Sequence, residues 1–361
     1  MNLVAEIFED IDQLPQDIFK AFSRGATVSF CLTREWWRLL SRHGLDPGTR
    51  STFHMVCDAR GVRGFMALCQ PEGWRWNTGR RLEALANYYT SLYAPLLTQD
   101  NDPEALKALV DSVVNGGRNF DRLDLHPLDH DSPVFARLIE TLRGAGLGVQ
   151  AYFRFGNWYL KVEGRSWEAY QSSLPSQLRN TLRRKSRQFL SGGGTLDIVS
   201  QADQVEVAIQ AYQQVYGSSW KQAEPHPEFM PELIRMAARM GWLRLGVARL
   251  EGKPIAAQVW IVCEGIASIY KLAYDGQYAK LSAGSILTAH LMAHVLDVDR
   301  VNEVDYLTGD DAYKKDWMSH RRERWGLVAF NRRTWHGALQ GMAHLGWQTV
   351  RTWKDRQGGS A

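Results

Sequence analysis

The strongest constraint on this 361-residue chain is the order of elements between residues 242 and 309. Three strand-like runs, WLRLGVARL, IAAQVWIVC and ASIYKLAYD, are separated only by the turns Glu251-Gly252-Lys253-Pro254 and Glu264-Gly265, spacings that make consecutive antiparallel hairpins. An apolar helix within AKLSAGSILTAHLMAHVLD follows, and then one more strand, NEVDYLTG. A helix sent from a hairpin strand to the next strand of the same sheet is a crossover, and binding sites gather where the chain leaves the sheet to make one. Upstream, the chain reads as a helix (SWEAYQSSLPSQLRNTLRRKSRQFL), the strand TLDIVS and two helices (VEVAIQAYQQVYG and PEFMPELIRMAARM). Downstream come a short DAYKKDWM segment, the strand RERWGLVAFNR and an amphipathic helix, HGALQGMAHLGWQTVRTW.

The first half repeats this order: helix TREWWRLLSRHG, strands STFHMVCDAR, VRGFMALCQ and RLEALANYY, helix PEALKALVDSVVNG, strand FDRLDLHPL, helix PVFARLIETLRGAG and strand VQAYFRF. The length suits two domains, drawn at 1–162 and 163–361. With 45% hydrophobic and 23% charged residues the chain reads as globular, which excludes disordered and fibrous classes. A net charge of +4 is too small to mark a nucleic-acid binder. Cys31, Cys57, Cys69 and Cys263 lie in apolar sequence without metal spacing and read as buried thiols of a reducing compartment. The amino terminus, MNLVAEIFEDIDQLPQDIF, carries acids where a signal peptide carries Lys or Arg, and no apolar run has the length of a membrane span. A cytoplasmic protein is expected, with most of its fourteen tryptophans in wide aromatic cores.

The two crossover helices start differently. In the second half Lys280, Ser282, Ala283, Gly284 and Ser285 stand where the unpaired N–H donors of a first turn point outward, and no acid follows until Asp297. Such an end, carrying about half a positive charge, holds anions. The equivalent helix of the first half opens TQDNDPEALKAL, with Asp100, Asp102 and Glu104 on or before its first turn. Those acids satisfy the helix end themselves, each worth roughly 0.3–1 kcal/mol, and would repel a phosphate.

This strand order, with a phosphate-sized loop after the third hairpin strand, resembles the GNAT acetyltransferase fold over nearly the whole second half. WEAYQSSLPSQLRNTLRRKSRQF and DYLTGDDAYKKDW resemble, more narrowly, the acetyltransferase family associated with bacterial cellulose and exopolysaccharide synthesis, itself similar to the FemAB peptidyltransferases with their two tandem copies of the fold. The resemblance implies an α/β (α+β) protein of tandem GNAT-like domains, each a mixed, mostly antiparallel sheet flanked by helices, the first degenerate and the second catalytic. It implies acetyl-coenzyme A or another acyl-coenzyme A as co-substrate, with its pyrophosphate on the Lys280–Ser285 segment and no metal. The loop departs from the fold's pattern of Gln or Arg, two residues, Gly, one residue, Gly or Ala: Ala279 and Ser282 take the first two motif positions, and Gly284 is kept.

Acyl transfer needs the donor carbonyl polarised, the nucleophile deprotonated and the leaving group protonated. The resemblance assigns polarisation to backbone N–H groups of the third hairpin strand, here Ile269, Tyr270, Lys271 and Leu272. Just beyond the facing strand stand Asp310, Asp311, Tyr313 and Lys314. Tyr313-Lys314 is similar to the aromatic-Lys motif of the FemAB-like relatives, which implies that Lys314 stabilises negative charge. Either Asp could orient or deprotonate an acceptor, and Tyr313 could return a proton to the thiolate. Arg179, Arg183 and Arg187 share a helix face by four-residue steps, flanked by Arg184, and are expected to hold an anionic substrate. His320, Arg321, Arg322 and Arg324 read as surface charge. His290 and His294 have helical zinc spacing without a third ligand nearby in sequence, and SGGGT at 191–195 reads as a turn.

The expected function is acyl transfer from acyl-coenzyme A to an amine or hydroxyl of a sugar, lipid-linked saccharide or other amine, in exopolysaccharide or cell-envelope synthesis. Two alternatives stand beside it. One is a FemAB-like aminoacyl transferase, the only reading in which nucleic acid, as transfer RNA, is a partner. The other is a non-catalytic scaffold whose arginines contact an anionic membrane face or a synthase. Acceptor, acyl length and oligomeric state are not encoded in any of these motifs.

Overall fold

The computed structural model describes residues 3–73, 79–99, 102–116 and 119–343. Asp100 and residues 344–353 of the expected terminal helix lie outside the described residues. The first half runs β1 (Val4–Phe8), α1 (Phe19–Ala26), α2 (Arg34–His43), β2 (Arg50–Asp58), β3 (Gly61–Gln70), β4 (Arg81–Ala84), β5 (Leu96–Leu97), α3 (Pro103–Asn115), β6 (Arg122–Asp129), α4 (Pro133–Gly144) and β7 (Leu147–Lys161). The second runs α5 (Trp167–Ser173), α6 (Ser176–Ser191), β8 (Gly194–Val199), α7 (Val205–Gly217), α8 (Phe229–Arg239), β9 (Leu243–Leu250), β10 (Lys253–Cys263), β11 (Ile266–Tyr274), α9 (Ala283–Asp297), β12 (Glu303–Asp305) and β13 (His320–Asn331).

These strands form one mixed sheet in the order β1-β2-β3-β4-β6-β13-β7-β12-β11-β10-β9-β8, with β5 paired to β3. Pairing is parallel at β4·β6 and β11·β12, where α3 and α9 make the crossovers, and antiparallel elsewhere. The fold is thus the expected one, two copies of one order in a mixed, mostly antiparallel sheet flanked by helices. The two copies are stitched through their last strands. β13 lies between β6 and β7, and β7 lies between β13 and β12, in a long antiparallel register from His320 opposite Tyr159 to Asn331 opposite Leu147. Each half therefore completes its sheet with the final strand of the other.

The halves also share a core. Trp36 and Trp37 of α2, Phe53 of β2, Phe65 of β3 and Phe229, Leu233 and Ile234 of α8 belong to one buried cluster. The Tyr89 ring stacks on Phe229 at 3.8 Å, and Trp36 meets Phe229 edge-on at 5.7 Å. Separate clusters lie under α9 in the second half and under α3 and α4 in the first.

Several local readings change. The long helix expected over 166–190 is two helices, because Pro175 forces Leu174 into an extended conformation (ψ 153°). The strand expected over 81–89 ends at Ala84: the Asn87 side chain accepts the Tyr89 N–H at 3.0 Å and its carbonyl accepts the Thr90 N–H, a turn that sends Tyr88 and Tyr89 toward the second half. β1, exposed over most of its length, has no alternating pattern to announce it. Cys31, Cys69 and Cys263 are buried free thiols, but Cys57 is half-buried on β2. Among the described residues no helix is long and apolar enough to cross a membrane.

Candidate active site

The site begins with a defect in pairing. Val259 lies opposite Lys271 and Trp260 opposite Ile269, so Tyr270 is an extra residue of β11, a bulge that re-aims the strand. On its other edge β11 pairs with β12 only from Ile266 to Ser268. Beyond Ser268 and Asp305 the two strands splay, and Ile269–Leu272 present an edge without a strand partner. This edge forms one wall of a cleft of about 400 Å³, whose other walls carry Tyr306, Leu307, Asp311, Tyr313 and Lys314. The strand edge and three of the four expected catalytic side chains are therefore brought together. Tyr88, Tyr89 and Ser91 of the first half and Trp220 and Lys221 of the α7–α8 loop close the cleft.

A two-turn 3-10 segment, Gly276–Leu281, leads from β11 to α9. Ser282 then takes a left-handed conformation (φ 57°, ψ 31°), at the position where the resembled motif carries glycine. The first bond of α9 runs from the Ile286 N–H to the Ser282 carbonyl at 3.1 Å, so the N–H groups of Ala283, Gly284 and Ser285 precede it. No side chain caps this end, and its first turn holds no acid. Gly284 is half-buried and Ser285 exposed, so the end opens to solvent. Gln258, buried on β10, donates to the Gly284 carbonyl at 2.8 Å and to Thr288 at 2.9 Å, which fixes the first turn against the sheet. Lys185 of α6 donates to the Lys280 carbonyl at 2.6 Å and ties the flanking loop to that helix. The first-half counterpart is closed. Asp102 caps α3 by accepting the Ala105 N–H at 3.0 Å and is held by Arg63 at 2.8 Å.

The chain after β12 is built around Asp305. Its carboxylate accepts from Asn157 of β7 (2.5 Å), from the Leu307 N–H (2.6 Å) and from Arg322 of β13 (2.5 Å), and Arg322 also meets Glu303 at 2.7 Å. Arg324 is buried against Asp129. Arg322 and Arg324 are therefore internal ion-pair members at the stitched strands, a correction to their reading as surface charge. Lys314, 4% exposed, donates to the Thr308 carbonyl (2.6 Å) and the Gly309 carbonyl (3.2 Å) and meets Asp311 at 3.2 Å. Burial lowers its pKa against the pull of Asp311. Tyr313 stands edge-on to Tyr306 at 5.8 Å, and burial pushes its hydroxyl up to about 12, so it stays protonated at neutral pH. Asp310 does not face the cleft: it accepts from Trp158 (2.6 Å) and from Arg321 (2.8 Å), and these bonds depress its pKa.

Two more lysines reach the cleft. Lys271 is ion-paired to Glu224 at 2.8 Å, donates to the Tyr88 hydroxyl at 3.1 Å and lies 4.4 Å from that ring's centre. Lys221, half-buried, has its ammonium 5.8 Å from the exposed Trp220 ring. Arg179 and Arg183 line a different depression, about 500 Å³ between α6 and α9, that shares no lining residue with the cleft, and Arg187 is exposed beyond it. His290 lines that depression too. Among the described residues no group of three His, Cys, Asp or Glu side chains converges as metal ligands would.

Residues 176–315 match the family model described as Acetyltransferase (GNAT) domain. Residues 176–315 are the GNAT domain of a GNAT-fold acyltransferase. The whole chain is similar in fold to FemX (TM-score 0.65, 9% identity, 91% of this chain and 98% of that one). It is similar also to a tandem GNAT protein from the clavulanic acid biosynthesis pathway (TM-score 0.52, 11% identity, 91% and 98%). A third similar structure is L-PGS from Bacillus licheniformis (TM-score 0.52, 12% identity, 85% and 94%). A comparison with curated proteins finds no match. The GNAT domain thus spans the α9 end, the β11 edge, Tyr313 and Lys314, while Tyr88 and Tyr89 come from outside it. Sequence reasoning missed these tyrosines, Trp220, Lys221 and the Lys271–Glu224 pair. An Asn87 turn and a polar loop between two helices were their only traces.

Proposed function

We propose that the GNAT domain transfers an acyl group, acetyl in the simplest case, from coenzyme A to an amine or hydroxyl of a sugar, lipid-linked saccharide or other amine. The observation that carries this reading is the contrast between the two crossover helices: α9 opens uncapped and free of acid beside the splayed edge of β11, whereas Asp102 seals α3. The donor's pyrophosphate would rest on the amides of Ala283, Gly284 and Ser285, with Ser282 and Lys280 flanking it. Its acyl arm would run along Ile269–Leu272, whose N–H groups polarise the carbonyl as charge develops on oxygen. Tyr313 is the proton donor to the thiolate. Lys314 holds the loop carbonyls of Thr308 and Gly309 in place and adds a positive field at the reacting centre, with Asp311 beside it. Arg179 and Arg183 would hold an anionic part of the substrate away from the reacting atoms. The resemblance carried by WEAYQSSLPSQLRNTLRRKSRQF and DYLTGDDAYKKDW supports exopolysaccharide or cell-envelope synthesis as the setting.

Calorimetric titration with acetyl-coenzyme A tests the donor. Wild type binds, and Gly284→Asp, which puts a carboxylate on the first turn, weakens binding at least about tenfold. A wild type that does not bind, or a Gly284→Asp variant that binds equally well, contradicts the assignment. The exposed basic residues of α6, Arg183, Arg184 and Arg187, favour a second reading with an aminoacyl donor on transfer RNA. In that case affinity for transfer RNA falls steeply with salt while acetyl-coenzyme A is ignored.

A further inference from the structure

We propose that Lys221 is the general base of the cleft, taking the proton of the acceptor as it attacks the acyl carbon. This rests on the acyl-transfer reading above and adds to it a residue that none of the motifs contains. The position comes first. Lys221 lines the cleft with Ile269–Leu272 and Tyr313, on the α7–α8 loop, so it faces the volume an acceptor must enter.

The other titratable groups of that volume are committed. Asp311 is drawn to Lys314, and Lys314 gives its remaining protons to two carbonyls. Glu224, on the same loop as Lys221, is paired with Lys271 of β11. Asp310 is turned to Arg321 and Trp158. Tyr88 takes a hydrogen bond from Lys271, Tyr89 is pushed upward by burial, and Tyr313 stays protonated. Among the described residues the Lys221 ammonium has no hydrogen-bond or ion-pair partner, only the Trp220 ring.

An unpaired lysine among two other ammonium groups has reason to be neutral. Burial and then the charge of Lys271 lower its pKa to about 8, with Lys314 adding to the effect and Glu224 and Asp311 opposing it. A base is most effective when its pKa lies near the working pH. In the step, the acceptor's N–H or O–H proton passes to the neutral Lys221 Nζ as its heteroatom bonds to the acyl carbon. The C–S bond then breaks and the thiolate takes the Tyr313 hydroxyl proton. Solvent reprotonates Tyr313 and receives the proton from Lys221.

Two measurements on the full chain test this. Acetic anhydride labelling across pH 6–11, read by mass spectrometry at Lys221, is expected to half-saturate near pH 8 in the folded chain and near the ordinary 10.5 in the urea-unfolded chain. Thiol release from acetyl-coenzyme A, with water as the acceptor, is expected to rise through pH 8 in wild type. In Lys221→Arg, which keeps the charge but cannot lose its proton, it falls about 100-fold and the alkaline rise disappears, while calorimetric affinity for acetyl-coenzyme A is retained. Lys221→Met shows the same loss. Labelling of folded Lys221 in step with the urea-unfolded chain, or a Lys221→Arg variant with the wild-type pH profile, overturns the proposal. Failure of wild type to bind acetyl-coenzyme A sinks the donor reading instead, and labelling still decides whether Lys221 is a neutral amine.

Discussion

At the scale of single residues, the site depends on conformations and charges that only their surroundings stabilise. Ser282 holds a left-handed backbone that costs a serine of order 1 kcal/mol relative to glycine. Ser282→Gly is therefore expected to raise the melting temperature slightly and keep acetyl-coenzyme A binding, and Ser282→Val to lower both. Lys314 stabilises two loop carbonyls, so Lys314→Ala should cost about 1–3 kcal/mol in urea unfolding besides lowering activity. A pure activity loss at unchanged stability would contradict that role. Lys221 carries a sign that can be checked. Its folded pKa of about 8 lies below the ordinary 10.5, so the unfolded chain holds the proton more tightly across that interval. Wild type should gain stability relative to Lys221→Met as pH rises from about 8 to 10.5, and no gain below 8 is expected. Gly284, Tyr313 and Lys314 were legible because they sit in short motifs at fixed distances from strand ends. Lys221 was not, since one lysine in a polar loop carries no sign of the charges it will face.

At the scale of elements, the two crossover helices make opposite uses of the same unpaired amides. Asp102 caps α3 and engages Arg63, so Asp102→Ala is expected to cost about 1–2 kcal/mol in denaturant unfolding, without creating a second donor site. A second acetyl-coenzyme A equivalent bound by that variant would contradict the account. The three hairpin strands, α9 and β12 were legible from period and turn chemistry. The bulge at Tyr270 was not, because a bulge is a property of the pair and not of the strand. The basic face of α6 was also legible, but a helical period says which residues share a face and nothing of what that face meets. Arg179 and Arg183 meet α9, outside the cleft.

At the scale of the whole molecule, each half finishes its sheet with the other's last strand, and the cleft borrows Tyr88 and Tyr89 across the same junction. Two halves built this way should melt together, in one calorimetric transition with an enthalpy near 0.7 kcal/mol per residue for the whole chain. Two separate transitions would show that the stitched strands do not couple them. The repeat itself was legible in the order of elements. The exchange was not, because β7 and β13 read as ordinary strands whose partners lie far away in sequence. The central claim is that the second crossover helix, and not the first, receives the donor's phosphates. Amide hydrogen exchange with and without acetyl-coenzyme A tests it most directly: protection should rise at Ala283, Gly284 and Ser285 and stay unchanged at Ala105 of α3. Equal protection at both helix ends, or none at α9, would contradict it.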